Sequence, residues 1–193
     1  MVGQIKNKRK HVEQKTYQTA VVLIPPEAVW PPIQALRQQY DRHVRRWMPH
    51  MTLLYPFRPH EAFASVVGQW APVCARLRPF AVQLAAVCTF RHARDSYTLW
   101  LAPEPKDALT ELHTQLWHLA PECDDVRRLG QGFTPHLSIG QGRGHERVQR
   151  LVAQVQTTWL PLTFVASEIS LIWRNEPPDD IFRVAHRIRL GQK

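Results

Sequence analysis

The chain has 193 residues, 44% of them apolar, with seven Trp and seven Phe; this fits one domain with a real core and excludes a disordered segment. Lys and Arg number 25 against 16 Asp and Glu, a formal net charge of +9, which favours acidic partners such as nucleic acid, nucleotides or anionic lipid. Three widely spaced cysteines (Cys74, Cys88, Cys123) exclude a disulfide framework and read as free, buried thiols of a reducing, cytoplasmic compartment.

Residues 1–16 hold Lys6, Lys8, Arg9, Lys10 and Lys15 against a single acid, Glu13, and read as a mobile basic arm. No apolar segment follows those charges, so the arm is not a secretory signal, and the aliphatic run Ala20 to Ile24 is far too short to span a membrane. Residues 17–190 read as one bilobed domain. Thr19 to Ile24, closed by Pro25-Pro26, is a buried strand. Ile33 to Arg46 has helical spacing, with Ile33, Leu36, Tyr40 and Val44 inward and Arg37, Asp41 and Arg45 outward. Met51 to Phe57 is a strand, and Glu61 to Leu77 a second amphipathic helix that Pro72 kinks or shortens.

Phe80 to Phe90 and Tyr97 to Leu101 read as antiparallel strands joined through His92–Asp95, and Asp107 to Ala120 as the third helix. A loop through Gly130 and Gly132 leads to a strand, Leu137 to Gly140, whose tight exit is Gly140-Gln-Gly-Arg-Gly144. Glu146 to Trp159 is the fourth helix; Leu162 to Trp173 and Phe182 to Leu190 are closing strands. This order predicts an α+β fold: two duplicated βαβαββ-type units whose antiparallel sheets flank a central cleft.

The chemistry lies in two strings, Pro49-His50-Met51-Thr52-Leu53 and Pro135-His136-Leu137-Ser138-Ile139. Bare His-x-Ser/Thr is expected about once by chance at this composition, so it carries little by itself. A preceding Pro and a following aliphatic residue, in both copies and at equivalent places in the two units, make the pair specific. Residues two apart on a strand share a face, which groups His50 with Thr52 and His136 with Ser138. Two imidazoles serve as base and acid near neutral pH, and two hydroxyls donate to the oxygens of one tetrahedral phosphate. A lone strand-start histidine is more often satisfied by backbone partners; the matched pair reverses that reading.

With these strings, and with the run Pro49-His-Met-Thr-Leu-Leu-Tyr-Pro-Phe57, the chain resembles the 2H phosphoesterase superfamily, especially its 2′-5′ RNA ligase-like branch. The resemblance implies a bilobed α+β fold, no metal or cofactor, and hydrolysis or transfer at 2′,3′-cyclic or 2′-5′ phosphodiesters of RNA or a small nucleotide. It also implies that His50 and His136 are the acid and base and that Thr52 and Ser138 hold phosphate. The second string has Ser where the first has Thr, which keeps the hydroxyl. Hydrolysis, 2′-5′ ligation and RNA binding without turnover all remain compatible with the residues, and a monomer is expected.

Tyr55 and Phe133 flank the motifs and could stack a base, with core packing the competing reading; on a regular strand Tyr55 points away from His50. Among Arg58, Arg143 and Arg174, each just beyond a cleft strand, Arg174 beside Trp173 is the preferred phosphate contact. The remaining histidines show no metal spacing, since His113 and His118 are five apart and no Cys-x-x-Cys occurs.

Overall fold

The computed structural model describes residues 15–128 and 132–191. Eight strands are formed: β1 (Thr19–Leu23), β2 (Met51–Leu54), β3 (Phe80–His92), β4 (Ser96–Glu104), β5 (Leu137–Arg143), β6 (Leu162–Ala166), β7 (Glu168–Trp173) and β8 (Arg183–Arg189). Between them lie α1 (Trp30–Tyr40), α2 (Phe63–Cys74), α3 (Lys106–Leu119), the single turn α4 (Asp125–Arg128) and α5 (His145–Thr158). The strands form one antiparallel sheet in the order β6-β3-β4-β5-β2-β1-β7-β8. The expected α+β class with two halves around a cleft is what is found.

The halves are four strands each, β8-β7-β1-β2 and β6-β3-β4-β5, joined through a single residue pair, Met51 opposite Leu137. Strand order departs from chain order because the expected long strand Leu162 to Trp173 is broken at Ser167. Its pieces, β6 and β7, belong to opposite halves, so the sheet curls until one residue links its two sides. The Ser167 carbonyl accepts from Leu190 N–H at 2.8 Å, which fixes that link.

One face carries the helices and the main core, from Met51, Leu53, Leu99 and Leu137 on the strands to Ile33, Trp70, Leu112 and Val155 on the helices. The helices cross over: α1 lies on β5, and α3 lies on β2, so each motif strand is covered by the helix that precedes the other. Glycine permits the first of these contacts. A methyl on Gly140 would lie 2.5 Å from Tyr40 Cβ and 2.9 Å from the Tyr40 carbonyl oxygen, and that oxygen belongs to backbone that cannot rotate away. We expect Gly140→Ala to destabilise the fold by ~1–3 kcal/mol, the range of an overpacked core, measured by chemical denaturation. The segment read from sequence as a glycine exit is therefore strand as far as Arg143; Gly140 and Gly142 serve packing, and Gly144, at φ +83°, turns the chain into α5.

Helix α1 begins at Trp30-Pro31-Pro32, where prolines lack only N–H groups that have no helical partner, but it ends at Tyr40 rather than Arg46. Asp41 adopts an extended conformation and its Oδ1 accepts from His43 N–H at 2.8 Å, turning the chain. Arg37 and Asp41, expected outward, are 2% and 7% exposed and form an ion pair at 2.9 Å. The segment after Tyr40 folds back over them.

The last two residues of the segment read as a basic arm are in contact with the domain. Thr16 pairs with Phe57 through backbone, and Lys15 contacts Asp125; the arm's other residues, 1–14, fall outside the described residues. Cys74 and Cys123 are buried free thiols, and burial pushes their pKa values up to about 11 and about 12. Among the described residues no helix is long and apolar enough to cross a membrane.

Candidate functional site

The register that joins the halves also builds the site. Extending the Met51–Leu137 pair by one residue each way sets His50 opposite Ser138 and Thr52 opposite His136. Met51 and Leu137 are fully buried in the core, so these four side chains occupy the other face, where all are half-buried. Directly opposed residues in such a pair lie ~4.5–5.5 Å apart at Cα. Each imidazole thus faces the hydroxyl of the other motif as well as sharing a face with its own.

Both rings are oriented in the same way. His50 Nδ1 bonds the Met48 carbonyl at 2.7 Å, and His136 Nδ1 bonds the Thr134 carbonyl at 2.8 Å. Only a protonated nitrogen can donate to a carbonyl, so Nδ1 carries the hydrogen and the neutral ring keeps its lone pair on Nε2. Neither Nε2 has a protein partner among the described residues, and neither is sealed from solvent. The proline of each motif explains the match: it holds the residue before it extended and adds no competing N–H, presenting that carbonyl to the histidine. The backbone-satisfied reading of these histidines is thus correct for one nitrogen of each and leaves the other for chemistry.

Aromatic rings back both imidazoles. His50 lies flat on Trp47, with centroids 4.6 Å apart, and Trp47 lies on Phe182 at 3.8 Å. His136 meets Phe90 edge-on at 4.9 Å and Trp100 at 5.9 Å. Burial against these rings pushes the His50 pKa down to about 4; the Met48 carbonyl opposes this, and Arg37 and His136 add to it. Burial also lowers His136, with the Thr134 carbonyl opposing. A charge on His136 also disfavours one on His50, so charging both rings together is opposed.

Each motif strand carries a β-bulge one residue past its hydroxyl. On β2, Val22 pairs Thr52 and Val21 pairs Leu54, leaving Leu53 extra; on β5, Trp100 pairs Ser138 and Leu99 pairs Gly140, leaving Ile139 extra. The bulge turns two consecutive residues toward the core and reverses the alternation beyond them. Tyr55 therefore lies on the cleft face, not opposite His50 as regular alternation predicts. Its ring is edge-on to Trp47 and Tyr17, 5.6 Å from each.

The two halves of the cleft face differ. On the β1–β7 half, Trp47, Phe182 and Tyr55 cover Ala20, Val22 and Ile172 as a small second core. The covering loop is tied down by Phe182 N–H to the Arg46 carbonyl at 2.9 Å, with Asp180 pairing Arg45 and Arg46. Nothing comparable covers Phe90, Trp100 and Thr98 on the β3–β4 half among the described residues.

Three flanking residues make contacts with groups other than the histidine pair. Phe133 stacks on the buried His113 at 4.0 Å, and His113 Nδ1 bonds the Leu53 carbonyl at 2.8 Å, so Phe133 belongs to packing beneath the motifs rather than to a base platform. Arg174 lies over Phe182, 5.6 Å from its centroid, and lines a separate cavity of 610 Å³ with Gln18, His60 and Trp173. Arg58 is held by Glu122 at 2.7 Å. Sequence reasoning passed over Trp47, Phe90 and Trp100. Alternation along β3 and β4 carried the signal for the last two, and the Trp-Met-Pro-His spacing carried it for the first. No group of three or more His, Cys, Asp or Glu among the described residues is placed to hold a metal ion.

Comparison with known proteins bears on the family and the fold. Residues 25–178 match the family profile of the 2′-5′ RNA ligase superfamily. A protein of Geobacillus kaustophilus named as a phosphoesterase is 28% identical over 124 residues, 63% of this chain and 67% of its own. One of Staphylococcus epidermidis, similarly named, is 24% identical over 161 residues, covering 82% and 91%. In three dimensions the chain is similar to TT0787 of Thermus thermophilus (TM-score 0.63, 17% identity, 91% and 99% covered). It is also similar to E. coli LigT complexed with 3′-AMP (TM-score 0.60, 17% identity, 91% and 99% covered).

Proposed function

The chain belongs to the 2′-5′ RNA ligase superfamily, and from that premise we propose that it is a metal-independent phosphodiesterase opening 2′,3′-cyclic phosphate ends of RNA or small nucleotides. The observation that carries this reading is the Met51–Leu137 register, which groups two imidazoles with open Nε2 atoms and two hydroxyls on one face. The relatives named as phosphoesterases support the reaction class, and the 3′-AMP bound by LigT supports a nucleotide ligand.

In this mechanism the cyclic phosphate sits between the rings. Thr52 and Ser138 donate to its non-bridging oxygens and stabilise the charge that grows there during attack. One Nε2 takes a proton from water as its oxygen bonds to phosphorus. The other, protonated, gives its proton to the departing ribose oxygen as the P–O bond breaks. The product is a phosphomonoester, and the proton has moved from one imidazole to the other.

The pair's titration sets the pH dependence. Turnover needs one ring charged and one neutral, and both rings of the free protein ionise below the ordinary histidine value. At pH 7 both are then mostly neutral, and lowering the pH supplies the missing proton until the second ring also charges. We expect kcat/KM for 2′,3′-cyclic AMP, assayed in EDTA, to follow a bell peaking below pH 6.5. The bound phosphate anion favours imidazolium, so the kcat profile is expected to lie at higher pH than that for kcat/KM. No turnover of cyclic phosphates across the pH range, or turnover abolished by EDTA, overturns the reading.

A further inference from the structure

From the histidines, the cleft face of β4 and β5 continues outward in rungs: Trp100–Ser138, then Thr98–Gln141, then Ser96–Arg143. At ~3.4 Å per residue the outer two lie about 7 and 14 Å along β4 from Trp100. They open into a cavity of about 1010 Å³ whose lining includes Arg42, Arg143, Arg147 and Arg150 and contains no Asp or Glu.

The charge there is unbalanced. Elsewhere several arginines are matched, as in Arg37–Asp41, Arg46–Asp180, Arg58–Glu122, Arg183–Asp179 and Arg187–Glu168. Of the four cavity arginines only Arg150 meets an acid among the described residues, the exposed Glu146 at 3.6 Å. Arg147 and Arg150, three apart in the first turns of α5, share a helix face, and Arg143 ends β5 two residues before that helix begins. A solvated convex surface disperses such charge; this cluster surrounds a concavity, where it concentrates a positive field.

The cavity adjoins the half of the cleft that no loop covers among the described residues, whereas the Trp47–Phe182 cover closes the other. A strand leaving the histidines is thereby directed toward the arginines, and 7–14 Å is the reach of about two to four stacked nucleotides at ~3.4 Å each. We propose that this arginine-lined cavity is a second anion subsite that holds the backbone phosphates of an oligoribonucleotide whose cyclic end lies at His50 and His136. The inference rests on the cyclic-phosphodiesterase reading for the identity of the reacting end, and it makes the substrate a strand of several nucleotides rather than a mononucleotide.

The test compares wild type with the double variant R143Q/R147Q, two exposed side chains whose loss leaves the core intact. Substrates are 2′,3′-cyclic AMP and a hexaribonucleotide ending in a 2′,3′-cyclic phosphate; binding is followed with a fluorescein-labelled hexaribonucleotide 3′-phosphate. Wild type is expected to favour the hexamer through KM. The variant is expected to raise hexamer KM at least tenfold while mononucleotide kcat/KM stays within twofold. The slope of log affinity against log salt is expected to fall by about 1.4, at ~0.7 per lost single-strand phosphate contact. Equal hexamer KM and salt slope in the two proteins overturn the proposal, as does a wild type with no preference for the hexamer. If wild type turns over neither substrate yet the variant loses hexamer binding, the subsite stands and the phosphodiesterase reading falls.

Discussion

Replacing either His50 or His136 with alanine is expected to lower kcat/KM for a 2′,3′-cyclic nucleotide by ~10²–10⁴-fold, the usual contribution of a positioned acid or base. The loss should fall mainly on kcat, because Thr52 and Ser138 still receive the phosphate on their shared face. The two rings act on one proton path, so the double variant is expected to be about as slow as the worse single variant rather than the product of both. Steady-state kinetics on the three proteins, with thermal unfolding as a control for folding, decide this. Near-normal rates from either single variant rule out the paired acid and base.

The second large effect lies behind the site. Arg37 donates to Asp41 at 2.9 Å, to Gln34 at 2.9 Å and to the Trp47 carbonyl at 2.8 Å. Asp41 in turn accepts from Gln141 on β5 at 3.1 Å. Removing the cation in Arg37→Met strands a buried carboxylate, and the expected cost is ~3–5 kcal/mol of folding stability, read by urea denaturation. Adding Asp41→Asn should recover part of that loss, because a neutral amide is less costly to bury than an unpaired carboxylate. The single variant also carries a kinetic signature that loose packing does not give. Arg37 lowers the His50 pKa and Asp41 raises it, so deleting the cation alone favours the imidazolium. The bell in kcat/KM is therefore expected to move to higher pH.

The site was more legible in the sequence than the scaffold around it. Pro-His-x-Ser/Thr repeated at matching places named the four central residues, because strand alternation turns a spacing of two into a shared face. Which residue lies opposite His50 was not legible, since register depends on the partner strand, nearly ninety residues away in the chain. Arg37 and Asp41 misled for a related reason. A helical wheel separates apolar from charged positions, but only the fold shows that the chain after Tyr40 returns to cover the charged side. Tyr55 was misplaced because a bulge shifts the parity of everything beyond it. The only trace was two successive aliphatic residues after the hydroxyl, Leu53-Leu54, where strict alternation expects one. The outer glycines of β5 read as a loop because nothing local records that Tyr40 and Val148 press against them.

Ser167 has a bearing on how a ligand arrives. The two four-stranded leaves touch along a single rung at Met51 and Leu137, which alone would act as a hinge. A one-residue clasp between β6 and β7 binds the leaves a second time, and the Leu190 N–H locks it. Fastened there, and bridged by α1 on β5 and α3 on β2, the leaves are held against swinging apart. Entry is left to side-chain rotation and to threading from the open end, so the spacing between the two imidazoles is set before any ligand comes.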